Sequence, residues 1–285
     1  MSNKQLTLKQ LERTANTLRQ DLIKMLLTAK SGHSAGPLGL ADFFTAMYFK
    51  ILNHDPKKPT WEGRDRLVMS CGHNVPIRYV AMASAGYFPK SDLKTLRKLG
   101  SKLQGHPSYI DMPAMENSSG PLGQGSSIAV GKALAAKLKK QKHYIYLLMS
   151  DGEQEEGQTW EAVMSAGKYK LNNLIAFIDR NNIQIDGYTE DVMPLENLRA
   201  KYEAFNWHVI EVDGHNIEQI IDAVEFAKAV YEKPTVVIMH TIPGKGVDFM
   251  EKDYTWHGKT PKPDEAKLAL RELRTLRGKI TGEFE

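Results

Sequence analysis

Apolar residues at Leu11, Ala15, Leu18, Leu22, Met25, Leu26 and Ala29 recur every three or four positions, which predicts an amphipathic helix over residues 7–30. A glycine-containing break, Ser31 to Pro37, interrupts the pattern before it resumes over 40–52. Residues 66–70 predict a short strand that stops at Cys71-Gly72-His73. Helices are expected over 75–86 and 91–99, with Ser91 as the cap of the second. A polar loop, 101–119, leads to Gly120-Pro121-Leu122-Gly123-Gln124-Gly125, which opens a helix ending near residue 140. Two unbroken apolar runs, 144–149 and 174–178, predict buried strands flanking a helical stretch at 160–166. The rest reads as helix 195–205, strand 207–212, helix 217–231, strand 235–241, a loop over 243–263 and a charged helix over 264–278. Strands alternating with helices predict an α/β chain: a doubly wound parallel sheet with helices on both faces.

The ends of the two central strands carry the informative chemistry. Asp151-Gly152 closes the first apolar run and Asn181-Asn182 closes the second. A right-handed crossover between parallel strands brings both ends out together on the carboxyl edge of the sheet, where open α/β sheets bind ligands. A carboxylate, a carboxamide oxygen and backbone carbonyls on one edge are hard ligands suited to an octahedral Mg2+ that also holds a diphosphate. Gly152 would let the backbone approach that diphosphate without a side chain in the way. The plainer reading of Asp151 is a carboxylate capping the next helix. The Gly120–Gly125 turn has two readings as well. It is an anion site at a helix N-terminus, or a tight turn that lets helix and sheet pack closely.

Together these residues match the thiamine diphosphate signature, and their surroundings resemble the transketolases. The resemblance rests on Gln154-Glu155-Glu156-Gly157, Glu161-Ala162, Leu171-Asn172-Asn173-Leu174, Ile183-Gln184-Ile185-Asp186-Gly187 and Gly105-His106-Pro107. It runs from about Ser31 to His257 and covers only the amino-terminal, diphosphate-binding part of a transketolase, so the chain looks like one half of a split enzyme. The resemblance implies one thiamine diphosphate-binding domain over 1–285, with the pyrimidine-binding domain on another polypeptide. It implies Mg2+ (or Ca2+ or Mn2+) on Asp151, Asn181 and the backbone oxygen of Ile183, and diphosphate contacts from Gly152 and Asn181. Gly120 and Leu122 would meet the thiazolium and aminopyrimidine, with His73 and His257 near the diphosphate. His33, His106 and His257 would be catalytic, accepting and returning protons on sugar hydroxyls near neutral pH. Glu156 and Glu161 match a pair near a two-fold interface that links two cofactor sites; otherwise they are solvated helix charges. His54, His143, His208 and His240 read as structural, and His215 has no role to transfer. The implied reaction moves a two-carbon ketol unit from a ketose phosphate to an aldose phosphate. It would require a C-terminal subunit, in a heterotetramer with cofactors at the subunit interface, and this chain alone would be inactive.

Composition narrows the picture further. With 285 residues, 41% of them apolar, the chain can bury a large single core, and a formal net charge of +4 argues neither for nucleic acid nor for a membrane surface. A single cysteine, Cys71, precludes an intrachain disulfide and fits a reducing cytoplasm. Residues 1–21 are polar, without a signal-peptide core, and no apolar run approaches the roughly 20 residues of a membrane span.

Three places depart from the family pattern. Ser150 stands where glycine is usual. Ser34-Ala35-Gly36-Pro37 replaces the commoner Pro-Gly-Ala-Pro, and Asn74-Val75-Pro76-Ile77-Arg78 replaces small apolar residues. They leave the donor and acceptor sugars open. A 1-deoxyxylulose 5-phosphate synthase, the α subunit of a 2-oxo acid dehydrogenase, a transketolase for sulfonated or branched sugars and a non-catalytic homologue remain as alternatives. A nicotinamide-binding domain is disfavoured, because no Gly-x-Gly-x-x-Gly follows the first strand.

Overall fold

Alternation along the strands sorts the molecule into layers. The computed structural model describes residues 6–275. Its main sheet is built from β1 (Arg66–Met69), β2 (Ile145–Ser150), β3 (Leu174–Arg180), β6 (His208–Asp213) and β7 (Thr235–His240). All are parallel, in the order β1-β2-β3-β7-β6. A two-residue-per-strand hairpin, β4 (Ile183–Gln184) with β5 (Gly187–Tyr188), follows β3 directly. Tyr146, Leu148, Ile175, Phe177, Val237 and Met239 face one core. Ile145, Leu147, Leu174, Ala176, Val236 and Ile238 face the other. A sheet covered on both sides needs apolar residues at every position, which is why the runs are unbroken.

The first core is closed by α1 (Leu8–Ala29), α2 (Ala35–Gly39), α3 (Ala41–Ala46), α4 (Val75–Ala85), α9 (Ile217–Ala229) and α10 (Pro263–Thr275). The second is closed by α5 (Gln124–Leu138), α6 (Gly157–Lys168) and α8 (Leu198–Ala204), leaving α7 (Thr189–Val192) as a single turn beyond the hairpin. A capping box starts α1: Thr7 accepts from the Gln10 backbone while the Gln10 side chain accepts from Thr7. Among the described residues, no helix is long and apolar enough to cross a membrane.

Two expected helices need correction. Residues 91–99 form only a 3-10 turn, Lys90–Thr95, and Ser91 caps nothing; its hydroxyl donates to Asp92 instead. Leu93 and Leu96 are buried there but Leu99 is fully exposed, so a third helical turn would have no surface to cover. The helix expected over 40–52 is α3 running into a π-helical turn, Met47–Ile51. The last three residues expected in the charged helix lie outside the described ones.

One buried polar chain fixes the loops beneath the site. Arg19 on α1 forks onto Asp42 of α3. His215, at the exit of β6, meets Asp42 Oδ2 through Nδ1 at 3.0 Å. Its Nε2 accepts from Ile242 N at 2.8 Å, so Nδ1 carries the proton. His215 therefore clamps the exits of β6 and β7 to the helical layer, a structural task that sequence reading does not assign.

Candidate active site

At the carboxyl edge, Ser150 lies opposite Asp179, and Arg180 opposite His240. Asp151 is 1% exposed and both its oxygens are engaged. Its Oδ1 accepts from Gly152 N at 2.8 Å, the cap that the plainer reading expects. Its Oδ2 accepts from Asn182 N at 2.7 Å, from Arg180 Nη1 at 3.2 Å and from Thr189 Oγ1 at 3.4 Å. Asn181 donates through Nδ2 to Asp179 at 2.8 Å, and its Oδ1 accepts from Ile183 N at 3.0 Å. Burial pushes the Asp179 carboxyl up to about 7, Asp151 adding to the rise while Thr241 and Asn181 oppose it. Asp179 thereby sets which way the Asn181 amide points.

These residues fit a divalent cation shared with a diphosphate. Among the described residues, no cluster of three or more His, Cys, Asp or Glu could hold a metal ion by itself. One carboxylate with one carboxamide oxygen and main chain leaves most of an octahedron for phosphate and water, as Mg2+ prefers. Beside Gly152 there is a cradle: a Cβ placed there would lie 3.1 Å from Gln184 Oε1. That oxygen is itself buried without a partner.

The glycine turn serves packing as well as the pocket. A Cβ on Gly125 would lie 2.5–2.6 Å from Ser70, so close packing alone demands that glycine. Gly123 adopts a left-handed φ of 80°. Gly120 has room, with His106 3.8 Å from its notional Cβ. The amides expected to be free for an anion are already engaged. Gly123 N donates to Glu153 Oε1 at 2.6 Å and Gly125 N to Ser70 Oγ at 3.0 Å. Glu153, fully buried, also accepts from Ser150 N at 3.1 Å and from the Ser70 hydroxyl. Burial pushes its carboxyl up to about 7 against those three donors. The helix end is thus complemented in part from within the protein, at Gly123 and Gly125, so those two amides are not free for an anion.

Between the two edges lies a pocket of about 400 Å3. His33, His73, His106, Gly120, Leu122, Asp151, Gly152, Asn181, Ile183 and His257 all line it. Ring centroids of His33 lie 5.3 Å from His73, 6.3 Å from His106 and 5.6 Å from His257; His73 and His257 are 5.0 Å apart. Ser34, in the departing loop, donates to Lys259 O at 2.6 Å and so ties the His33 loop to the His257 loop. Gly36 of that loop and Asn74 of another departing segment are sterically linked, because an alanine Cβ at Gly36 would lie 2.4 Å from Asn74 Oδ1. Glu156 and Glu161 are both exposed.

All four imidazoles favour the neutral form. Burial lowers His33 to about 4, helped by His257, Arg97 and His106. It lowers His73 well below the ordinary value, and His106 and His257 also lie below it. Between about 6.5 and 4 the unfolded chain binds a proton at His33 that the folded chain refuses, so this group's contribution to stability falls as pH drops through that window. Glu153 and Asp179, raised in the fold, act oppositely over nearly the same range. The difference between variants isolates the histidine. His33→Gln is expected to gain thermal stability relative to the parent as pH falls from 6.5 to 4.5; parallel melting curves in calorimetry would refute it.

Sequence reading misses Arg180, Glu153 and Gln184. The available signal is charge closing an apolar run, at Asp179-Arg180 and at Asp151 to Glu153. Spacing does not say that these charges turn inward.

Comparison with known proteins agrees with this geometry. Residues 10–276 match the family model described as transketolase, thiamine diphosphate binding domain. The chain is 42% identical over 263 residues to a 6-deoxy-6-sulfo-D-fructose transketolase subunit of Clostridium sp., covering 92% of this chain and 96% of the relative. It is equally identical to an apulose-4-phosphate transketolase subunit of Phocaeicola vulgatus, covering 92% of this chain and 93% of that protein. Transketolase from Campylobacter jejuni superposes with a TM-score of 0.87 at 38% identity, over 93% of this chain and 42% of that one. The chain therefore spans about two fifths of that longer enzyme.

Proposed function

This chain belongs to the transketolase family through its thiamine diphosphate-binding domain, and from that premise we propose that it is the N-terminal subunit of a split transketolase. It transfers a two-carbon ketol unit from a ketose phosphate to an aldose phosphate. The observation that carries this reading is the pocket that joins four imidazoles to the Asp151–Asn181 edge. Asp151, Asn181 and the Ile183 carbonyl hold Mg2+, or Ca2+ or Mn2+ in its place, and Gly152 and Asn181 meet the diphosphate. Gly120, Leu122, His73 and His257 line the rest of the cofactor. When bound, thiamine diphosphate supplies the carbon nucleophile that takes up the two-carbon unit. His33, His106 and His257, neutral at physiological pH, accept and return protons at the sugar hydroxyls.

A separate subunit carrying the pyrimidine-binding domain completes the site, in a heterotetramer. Two observations support it. The relatives matched over nearly their whole length carry the word subunit in their names. Ile185, which lines the pocket, is 67% exposed, and Tyr188 and Met193, on the hairpin and just beyond it, are 46% and 55% exposed, apolar surface of the sort a partner covers. The compartment is the reducing cytoplasm, where buried Cys71 stays a thiol. A sulfonated or branched sugar is the second reading, favoured by the Gly36–Asn74 contact beside His73 and by the names of those two relatives.

The test is capture of the tagged chain from its native cells, followed by assay of the assembled pair with thiamine diphosphate, Mg2+ and a panel of phosphorylated, sulfonated and branched sugars. The expected result is a stoichiometric partner and ketol transfer by the pair alone. Turnover by the isolated chain, at a level excluding a contaminant, would sink the split-enzyme reading.

A further inference from the structure

At the cation end of the pocket, a buried arginine occupies the surroundings of the one carboxylate a metal ion needs. The Arg180 side chain is 5% exposed and its contact with Asp151, itself 1% exposed, is shielded from water. The other arm of the fork reaches Glu190 at 2.5 Å and Glu196 at 3.1 Å. Those carboxylates are 39% and 58% exposed, so solvent screens their charges more than it screens the guanidinium where it faces Asp151. Both are pinned: Glu190 accepts from Leu195 N, and Glu196 from Leu198 N. Arg180 thus holds a positive charge, partly offset on its solvent side by Glu190 and Glu196, one contact away from the expected cation ligand.

That charge has opposite consequences for two ligands. A bare divalent ion approaching Asp151 is repelled by the guanidinium and must compete with it for Oδ2. A divalent ion already carrying a diphosphate is net negative and is attracted. We propose that Arg180 makes the cation site selective for an ion that arrives with a diphosphate, opposing the bare ion and favouring the metal–diphosphate pair. The inference rests on the thiamine diphosphate reading of this edge. It assigns Arg180 a selective role through its charge, separate from its strapping of β3 to the segment after the hairpin.

The two roles are separable by sign. Mn2+ binding to the full chain, followed by water-proton relaxation with and without inorganic diphosphate, is the measurement. Arg180→Met is expected to bind bare Mn2+ roughly fivefold more tightly than the parent and the Mn2+–diphosphate pair roughly fivefold more weakly. Arg180→Lys keeps the charge but not the fork, so it should shift both constants in the same directions as Arg180→Met but by less. Glu190→Gln, on the partly exposed side and so gentler on folding, should shift both constants in the reverse directions. A change of the same sign in both constants, or none in either, overturns the inference while leaving the cation site intact. If the parent binds the pair no better than Asp151→Asn does, the cation site itself is overturned.

Discussion

The Asp151→Asn chain is expected to fold as the parent does and to lose cation-dependent binding of thiamine diphosphate by at least about a hundredfold. In the assembled enzyme, ketol transfer should fall by more than about a thousandfold. The size of the effect follows from how little else at this edge carries charge for the cation. In the proposed cation set Asn181 and Ile183 would contribute only neutral oxygens, and Gln184 Oε1 is a neutral acceptor beside Gly152. Asparagine keeps the volume of Asp151 and one oxygen, which can still accept from Gly152 or Asn182. Asp151→Ala is a different experiment. It leaves Arg180 with only its two partly exposed carboxylates and two partly buried backbone N–H groups without their acceptor, a loss of about 1–3 kcal/mol for each unsatisfied group. Equilibrium dialysis with Mg2+ and the cofactor, run beside melting curves, separates them: Asp151→Asn, which loses the charge beside Arg180 but keeps one acceptor, melts somewhat below the parent and loses cation-dependent binding, whereas Asp151→Ala melts lower still. Cofactor affinity unchanged in Asp151→Asn would remove the cation from this edge.

How much of this is legible in the sequence depends on whether the information is local. The paired strand ends are legible because a strand covered on both faces cannot carry a charge in mid-run. Asp151 and Asn181 therefore mark where β2 and β3 leave the core. Handedness of the crossover then places them side by side without knowledge of any side chain. The helix expected over 91–99 fails because periodicity reports which residues are apolar, not whether a surface exists to receive them; Leu99 has none. The α5 terminus reads as an anion site because the sequence shows a free helix end and cannot show that Glu153, from another element, already engages its Gly123 amide. Departures from the family pattern look like separate events in the sequence, whereas the fold sets Gly36 against Asn74 and Ser34 against Lys259. Such pairings are long-range, and one sequence holds no record of them.

His33→Gln and His257→Asn in the assembled enzyme are each expected to lower kcat about a hundredfold to a thousandfold, within the usual reach of general acid–base catalysis. The two rings lie 5.6 Å apart and would serve the same sugar, so the double variant should cost far less than the product of the single losses. The two should differ in binding. In the proposed reading His33 meets the sugar and His257 both sugar and cofactor, so His33→Gln should leave cofactor affinity within about twofold, whereas His257→Asn should weaken it as well. The pH profile tests the same chemistry. An imidazole accepts a proton only when neutral, and burial places the His33 transition at about 4, with the other three also depressed. Activity should therefore hold as pH falls below about 6.5 and decline only as those lowered transitions are reached. An acid limb centred near about 6.5 would mean that the imidazole carrying the proton is solvated during turnover. The histidine cluster would then have to open to solvent when the partner docks.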